Sequence, residues 1–235
     1  MAGPEAIRVD ATTDLAETFA AQGIPRGRPV LVVVGGAAGM GDEAASASIT
    51  LLMTRLVPVL DRCGAVVVDG GTDAGVMRLM GEVRTRTRAS FPLIGVAAAG
   101  TVCLPGTEPV AGTAAVEESH THLILVPGCE WGDESPWLTL AAQVISAERR
   151  SVTLLINGGA ITLRDARNSL SAGHPVVVLN GSGRTADEIA RARTGGTASA
   201  PAAEIANSPL THIIPLTDYD AITDVVERLL TAPAG

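Results

Sequence analysis

Four glycine-rich segments of this sequence have the residue types and the setting of loops that bind anions through the backbone. Each follows a short run of Val, Ile or Leu and precedes a helical pattern: 35–41, 69–75, 157–159 and 180–184. Glycine adopts positive φ without a steric penalty and lets main-chain N–H groups approach a phosphate where a helix begins. On this argument the candidate contacts are Gly35, Gly36, Ala37, Gly71, Asn157, Gly158, Gly159, Gly181, Ser182 and Gly183.

The number of these segments matters more than any one of them. Glycine is common in the strand-to-helix turns of any doubly wound fold, so a single segment has a purely structural explanation. If the preceding strands are parallel, however, all four turns lie at the carboxyl edge of one sheet, where ligands bind in open α/β folds. Four turns at one edge therefore favour a shared ligand with several phosphates.

Two segments contain the pattern GxGxxA, at 39–44 and 181–186. In the first, Asp42 and Glu43 place carboxylates at the start of a helix, which suits the helix dipole but repels phosphate. In the second, Arg184 falls in the first turn of the predicted helix, where a guanidinium can bind phosphate through two parallel hydrogen bonds. The sequence therefore predicts Arg184 as the charged anchor of the site.

All 17 basic residues are arginine, because the sequence contains no lysine. This excludes a GxxxxGK[ST] phosphate loop, a pyridoxal Schiff base and a lysine general base. A codon bias toward arginine is an alternative reason for the missing lysine, and the chemical exclusion holds in either case. With 25 acidic residues the formal net charge is -8, which argues against a nucleic-acid-binding protein.

Histidine and cysteine offer two further kinds of site. His120 and His122 lie two apart at the start of a predicted strand, so their rings share a face and form either part of a metal site or a hydrogen-bonded strand entry. No third ligand is near in sequence, which favours the second interpretation. A nucleophilic Cys129 would need a cationic neighbour, and none is adjacent. The three cysteines lack CxxC spacing and predict neither a disulfide framework nor a zinc site.

An acidic cluster formed by Glu130, Asp133 and Glu134 flanks Trp131. These carboxylates either bind ribose hydroxyls, as acidic residues do in dinucleotide folds, or mark the start of the next helix. The helix start is the favoured interpretation. Arg164, in the first turns after Gly159, could reach the same ligand as the neighbouring loop.

The elements that position these residues alternate between strand and helix patterns. Short apolar runs predict strands at 6–9, 30–34, 65–68, 93–97, 122–126, 152–156, 175–179 and 212–215. Helical patterns occupy 13–22, 43–61, 74–88, 136–148, 161–172, 185–193 and 218–230. This alternation predicts an α/β fold, a doubly wound and mostly parallel sheet with helices on both faces.

We expect residues 1–235 to form a single domain in which 1–28 are an N-terminal strand and helix extension. Two irregular segments stand out: 99–119, a possible lid, and 194–209, which we interpret as a plain surface loop. The first 21 residues carry four carboxylates and no long apolar run, so they do not form a signal peptide. No window approaches 18 uninterrupted apolar residues, and we expect a cytoplasmic protein that binds no membrane.

Four segments taken together resemble the SLOG superfamily, also called LSDAT. They read DGGTDAGVM at 69–77, ESHTHLILV at 118–126, LINGG at 155–159 and NGSGRTAD at 180–187. Within the superfamily the chain is most similar to prokaryotic relatives of the N-terminal cytosolic domain of melastatin-type TRP channels. The order and spacing of the segments agree over roughly 29–229.

The resemblance implies a Rossmann-like domain that binds ADP-ribose, an NAD metabolite or a related nucleotide, in some members as a sensor, with no further cofactor required. Thr72, Gly75 and Val76 match the family's GG-T/V-x-x-GV loop, and Arg184 matches the arginine of its GSGR loop; both loops contact ligand phosphates or ribose in channel relatives. Trp131 falls near an aromatic that stacks on adenine in some relatives. By analogy we expect a homodimer or larger homo-oligomer, with a separate effector protein if it signals.

Other members of the superfamily, the LOG enzymes, cleave the N-glycosidic bond of nucleoside monophosphates with a PGGxGTxxE motif. Residues 157–165 read NGGAITLRD, which lacks the proline, the GT pair and the glutamate, although Asp165 or Arg164 could substitute. Ligand binding or sensing is therefore predicted ahead of the alternative, a nucleotide N-glycosidase or phosphoribohydrolase. A nicotinamide-dependent oxidoreductase fits least, because a Tyr-x-x-x-Lys pair is impossible without lysine.

Overall fold

Runs of Val, Ile and Leu form the centre of the fold, an eight-stranded sheet in which all neighbouring strands are parallel. The computed structural model describes residues 3–10, 14–36, 40–108, 110–147 and 150–232. Within them the sheet contains β1 Glu5–Arg8, β2 Val30–Gly35, β3 Val66–Asp69, β4 Leu93–Ala98, β7 His122–Val126, β8 Ser151–Ile156, β9 Val176–Asn180 and β10 Thr211–Pro215. A separate parallel pair consists of β5 Val102–Cys103 and β6 Ala114–Ala115.

Helices connect the strands and cover the sheet. They are α1 Leu15–Ala21, α2 Asp42–Leu51, α3 Val57–Cys63, α4 Gly75–Thr87, α5 Ser135–Ser146, α6 Ala160–Ser171, α7 Arg184–Arg193, α8 Ala200–Asn207 and α9 Tyr219–Thr231. A π-helical segment, Leu52–Leu56, joins α2 to α3 without a break.

The strand order places a crevice in the middle of the sheet. Along the sheet the strands follow the order β1-β7-β4-β3-β2-β8-β9-β10. From β2 the chain builds outward through β3, β4 and β7, then returns to the other side of β2 to add β8, β9 and β10. The connections that leave β2 and β8 therefore diverge, and such a reversal opens a crevice at the carboxyl edge.

Each face of the sheet has its own apolar core. On one face α1 and α5 to α8 pack through residues such as Phe19 and Ile145. On the other, α2, α3, α4 and α9 pack through residues such as Leu56 and Met80. Successive strand residues point to opposite faces, so Val32 contributes to the first core and Val33 to the second. The predicted fold class is confirmed.

The predicted strands and helices agree with the observed bounds to within two residues, but two segments predicted as irregular contain further elements. The segment at 99–119 contains the short pair formed by β5 and β6. Residues 194–209, predicted as a plain loop, contain α8, which packs against α6 and α7. The Ser199 hydroxyl caps this helix by accepting from the Ala202 N–H at 3.4 Å. Pro201 is tolerated because it lies in the first turn, where its missing N–H has no helical partner. Composition suggested a loop, but the cap and the buried face of α8 make a helix.

One helical stretch of the described residues, Asp42–Cys63, has the length and the mean hydropathy, 1.3, of a membrane span. Its apolar side chains, among them Leu51, Leu52 and Leu56, are buried against the sheet. Core helices of soluble proteins have the same length and composition, so this stretch is weak evidence for a membrane segment.

Candidate functional site

A cavity of about 390 Å³ opens where the strand order reverses between β2 and β8. Its wall includes Gly35 and Gly36 at the end of β2, Thr72 after β3, Gly159 after β8 and Arg184 after β9. All four glycine-rich loops therefore meet at one cavity. Its volume is within the range of about 300–1,000 Å³ that is usual for small-molecule sites.

Arg184 lies against the loop that follows β8. The backbone turns sharply before α7, with φ of 104° at Gly183 and 45° at Arg184. A β-carbon on Gly159 would lie 3.3 Å from Nη2 of Arg184, so the guanidinium packs directly on this glycine. The first turn of α6 (Ala160–Ser171) also lines the cavity, and the start of a helix carries a positive partial charge. This part of the wall is suited to an anion.

The loop between β9 and α7 is hydrogen-bonded to the loop between β8 and α6. The Ser182 hydroxyl accepts from the Asn157 N–H at 2.7 Å and donates to the Leu179 carbonyl at 2.6 Å. The Gly181 N–H donates to Asp187 at 2.6 Å, so this amide is already used within the chain. These bonds fix the geometry in which Arg184 enters the cavity.

Apolar side chains form a second part of the wall. They come from both sheet faces and include Val34, Met77, Leu138 and Ile161. Trp131 joins them while remaining 47% exposed. Its indole Nε1 donates to the Gly112 carbonyl at 3.2 Å, which connects the cavity rim to the segment between β5 and β6. A flat, uncharged group such as a nucleobase fits this type of surface.

Two carboxyl groups, Asp165 on α6 and Glu134 at the start of α5, form a third part. Burial raises the pKa of Asp165 to about 7; Ser135 and Arg164 act in the opposite direction, and Glu134 adds to the increase. Its Oδ1 has no hydrogen-bond partner among the described residues. Near neutral pH Asp165 can therefore either donate or accept a hydrogen bond.

A family model described as "SLOG in TRPM, prokaryote" matches residues 28–223, which is most of the sequence. The chain belongs to this family. The expected resemblance to the SLOG superfamily is confirmed.

Among curated relatives of the SLOG chain, transient receptor potential cation channel subfamily M member 2 of Mus musculus is 29% identical over 175 residues. That match covers 59% of this chain and 12% of the channel. The Rattus norvegicus channel of the same name is 28% identical over 172 residues, 58% of this chain and 11% of that protein. The chain thus spans about a tenth of the channels' length.

Among solved structures, two examples are similar to this chain in fold. The molybdenum cofactor carrier protein of Chlamydomonas reinhardtii superposes with a TM-score of 0.55 at 17% identity, covering 87% of this chain and 99% of that one. The structural genomics protein TM1055 superposes with a TM-score of 0.56 at 19% identity, covering 85% and 99%. At these identities the match concerns the fold alone.

Several predicted contacts of the SLOG chain do not line the cavity. They are Gly71, Gly75, Val76, Asn157, Gly158, Gly181, Ser182 and Gly183. Val76 is fully buried in the core. Gly71 permits a close approach, since a β-carbon there would lie 2.9 Å from the Gly95 Cα. Asn157 donates from its amide to the Gly36 carbonyl at 3.0 Å. Ala37 lies outside the described residues.

Sequence reasoning missed much of the apolar wall and part of the polar wall. Missed residues include Met77, Leu138, Thr101 and Thr162, and the favoured interpretation of Glu134 was a helix start only. Met77 and Thr162 each lie in the first turn of a helix that follows a glycine segment, which is a signal the sequence contained. Leu138 lies in the first turns of α5, and only the packing of that helix on the sheet brings it to the crevice.

The acidic cluster divides into two roles. Asp133 accepts from the N–H groups of Cys129 and Glu130, each at 3.0 Å, and so holds the turn before α5. Glu134, in contrast, reaches the cavity wall while accepting from the Gly132 N–H at 2.8 Å.

The two histidines hydrogen-bond to different groups. His122 donates from Nε2 to the Gln22 carbonyl at 3.2 Å. His120 lies between the carboxylates of Asp69 and Glu117. Within the described ranges, no three His, Cys, Asp or Glu side chains are grouped to hold a metal ion. Both histidines are hydrogen-bonded where they precede or begin β7, as the favoured interpretation expects.

Proposed function

We propose that this chain binds a nucleotide-derived ligand, such as ADP-ribose or another NAD metabolite, in the cavity between β2 and β8. The observation that carries the proposal is the meeting of four glycine-rich loops and Arg184 at one cavity. Family membership supports it, because SLOG domains as a group have nucleotide-related functions.

Each part of the wall has a counterpart in such a ligand. Arg184 and the start of α6 suit phosphate, since a guanidinium and helical N–H groups both favour negative charge. Trp131, Met77 and the other apolar side chains suit the base. The Glu134 carboxylate suits ribose hydroxyls, which acidic residues bind in dinucleotide folds.

Removing the guanidinium tests the phosphate assignment. We expect Arg184→Gln to weaken ADP-ribose binding about tenfold to one hundredfold, because a charge-assisted hydrogen bond contributes roughly 1.5–3 kcal/mol. Titration calorimetry against ADP-ribose, NAD and AMP measures the change. The matched control is Arg167→Gln on α6, whose side chain is 50% exposed and pairs with Glu204, and which should bind normally. Full affinity in Arg184→Gln would contradict the assignment.

Tryptophan fluorescence tests the position of the base. The sequence contains two tryptophans, Trp131 at the cavity and Trp137 on α5. We expect saturating ligand to quench the emission of the unaltered protein and of Trp137→Phe, because the base would stack near the indole of Trp131. Trp131→Phe should lose most of this signal. An unchanged quench in Trp131→Phe would place the base elsewhere.

One observation favours a second candidate function, hydrolysis of an N-glycosidic bond. Asp165 lines the cavity, and its pKa of about 7 lets it hold a proton at neutral pH. A protonated carboxyl can donate its proton to the departing base as the bond between base and sugar carbon breaks; water then adds its hydroxyl to that carbon, and its remaining proton returns to the carboxylate. Chromatography after incubation with nucleotides decides between the candidates. Release of free base that Asp165→Asn abolishes supports hydrolysis, whereas binding without product supports a sensor.

A further inference from the structure

Three ionisable side chains form a buried chain of hydrogen bonds below the cavity. His120 Nε2 lies 2.8 Å from Asp69 Oδ1, and His120 Nδ1 lies 2.7 Å from Glu117 Oε2. The side chains of His120 and Asp69 are fully buried, and that of Glu117 is 10% exposed. None of the three lines the cavity itself.

The geometry favours a protonated, positively charged His120. Each ring nitrogen faces a carboxyl oxygen, and when both carboxyls are ionised they only accept hydrogen bonds, so both nitrogens then carry a proton. Burial alone lowers the pKa of His120, but the two carboxylates outweigh it and raise the pKa to about 10. His120 is therefore an imidazolium that links two negative groups across the neutral pH range.

The two carboxylates belong to different segments that contact each other, and the first of these lines the cavity through Gly70 and Thr72. Asp69 ends β3 and accepts from the Gly71 N–H at 2.7 Å, which sets the turn into the glycine loop. Glu117 follows β6 (Ala114–Ala115), and its own N–H donates to the Gly71 carbonyl at 3.0 Å. Beside this hydrogen bond, Thr72, which follows Gly71, and Val116, which precedes Glu117, form an antiparallel bridge. Thr72 then lines the cavity.

Packing leaves the Glu117 carboxyl no alternative position. A β-carbon on Gly81 of α4 (Gly75–Thr87) would overlap this carboxyl. The missing side chain of Gly81 therefore leaves the space that the Glu117 carboxyl occupies. Glu117 Oε2 also accepts from the Ser119 N–H at 3.0 Å. The cluster thus ties β3, α4 and the segment that precedes β7 to one point.

We propose that Asp69, Glu117 and His120 are positioning residues that lock the glycine loop at 70–72 to the segment at 114–119 and so hold one wall of the cavity in its binding shape. This inference rests on the proposed function only for its effect on ligand affinity. The link between the two segments can be measured without any ligand.

Glu117→Ala and Glu117→Gln separate position from charge. The glutamine amide oxygen can replace Oε2 and accept from His120 and Ser119, whereas alanine cannot. We expect Glu117→Ala to speed amide hydrogen exchange of Gly71 and Asp73 at least tenfold and to weaken ADP-ribose binding at least tenfold. Glu117→Gln should restore both to within threefold of the unaltered protein. Glu118→Ala, an exposed neighbour, is the matched control and should change neither.

The measurements are made at a temperature where circular dichroism shows every variant folded. Nitrogen-15 spectra at pH 8 should show both nitrogens of His120 protonated, in contrast to an ordinary neutral histidine. Unchanged exchange at Gly71 and Asp73 in a folded Glu117→Ala protein would overturn the proposal, as would a neutral His120. If the unaltered protein binds no nucleotide, the proposed function fails while the exchange rates still decide this inference.

Discussion

Gly35→Ala should lose about 3 kcal/mol or more of unfolding free energy, at the upper end of the usual cost of an overpacked interior. A β-carbon at this position would overlap the backbone carbonyl oxygen of Ile156, its partner in β8, and would also lie 3.1 Å from Val76 Cγ1. A carbonyl at the centre of a parallel sheet cannot rotate away without breaking the ladder of hydrogen bonds. The strands would have to separate at the crevice itself.

Urea denaturation with linear extrapolation measures this loss. Gly41→Ala is the matched control, because its φ is -69° and nothing lies within 4 Å of an added β-carbon. That variant should retain the stability of the unaltered protein to within about 0.5 kcal/mol. Equal stability of the two variants would show that the approach of β2 to β8 at Gly35 is looser than described.

Asp165→Asn should stabilise the protein at pH 8, by an amount on the order of a few kcal/mol. The ordinary pKa of 3.8 applies to the unfolded chain, and burial raises that of the folded protein to about 7. Between these values the folded state keeps a proton that the unfolded state releases. The contribution of Asp165 to the unfolding free energy therefore falls as the pH rises from about 4 to about 7. Above about pH 7 this contribution no longer changes with pH. Asparagine does not ionise, so Asp165→Asn removes the cost of the buried carboxylate.

The difference in unfolding free energy between the unaltered protein and Asp165→Asn, followed against pH, reports the contribution of Asp165 alone. His120, whose pKa is raised to about 10, and the other histidines contribute to both curves alike. Urea midpoints measured from pH 4 to pH 8 should diverge for Asp165→Asn. The control Asp224→Asn, an exposed residue on α9 (Tyr219–Thr231), should follow the unaltered protein. Parallel curves for all three proteins would mean that Asp165 reaches solvent when folded.

The sheet could be predicted because its signal is local. In β2 (Val30–Gly35), β8 and β9, continuous β-branched and leucine runs are typical of strands buried on both faces, and each ends at a glycine or asparagine turn. Parallel order then follows from the intervening helices, and it brings the four turns to one edge. The same local reasoning failed at α8 (Ala200–Asn207), where Ala, Ser and Pro gave no apolar stripe long enough to indicate a helix.

The cavity wall and the cluster beneath it depend on contacts between distant residues. Asp69 and His120 are separated by 51 positions, and no spacing rule connects them. Leu138 reaches the crevice only through the way α5 packs on the sheet. Asp165 could be noticed in the sequence as a carboxylate near a glycine loop, but its altered acidity arises from burial, which appears only once the chain has folded.

The reversal of strand order has a thermodynamic consequence for whatever occupies the crevice. Gly35 and Thr72 reach it from the first half of the chain, Gly159 and Arg184 from the second. A ligand in the crevice contacts both halves of the chain and acts as a noncovalent cross-link between them. It dissociates when the protein unfolds. At one hundred times its Kd it would add about 2.7 kcal/mol to the unfolding free energy. The melting temperature would then rise with the concentration of the ligand.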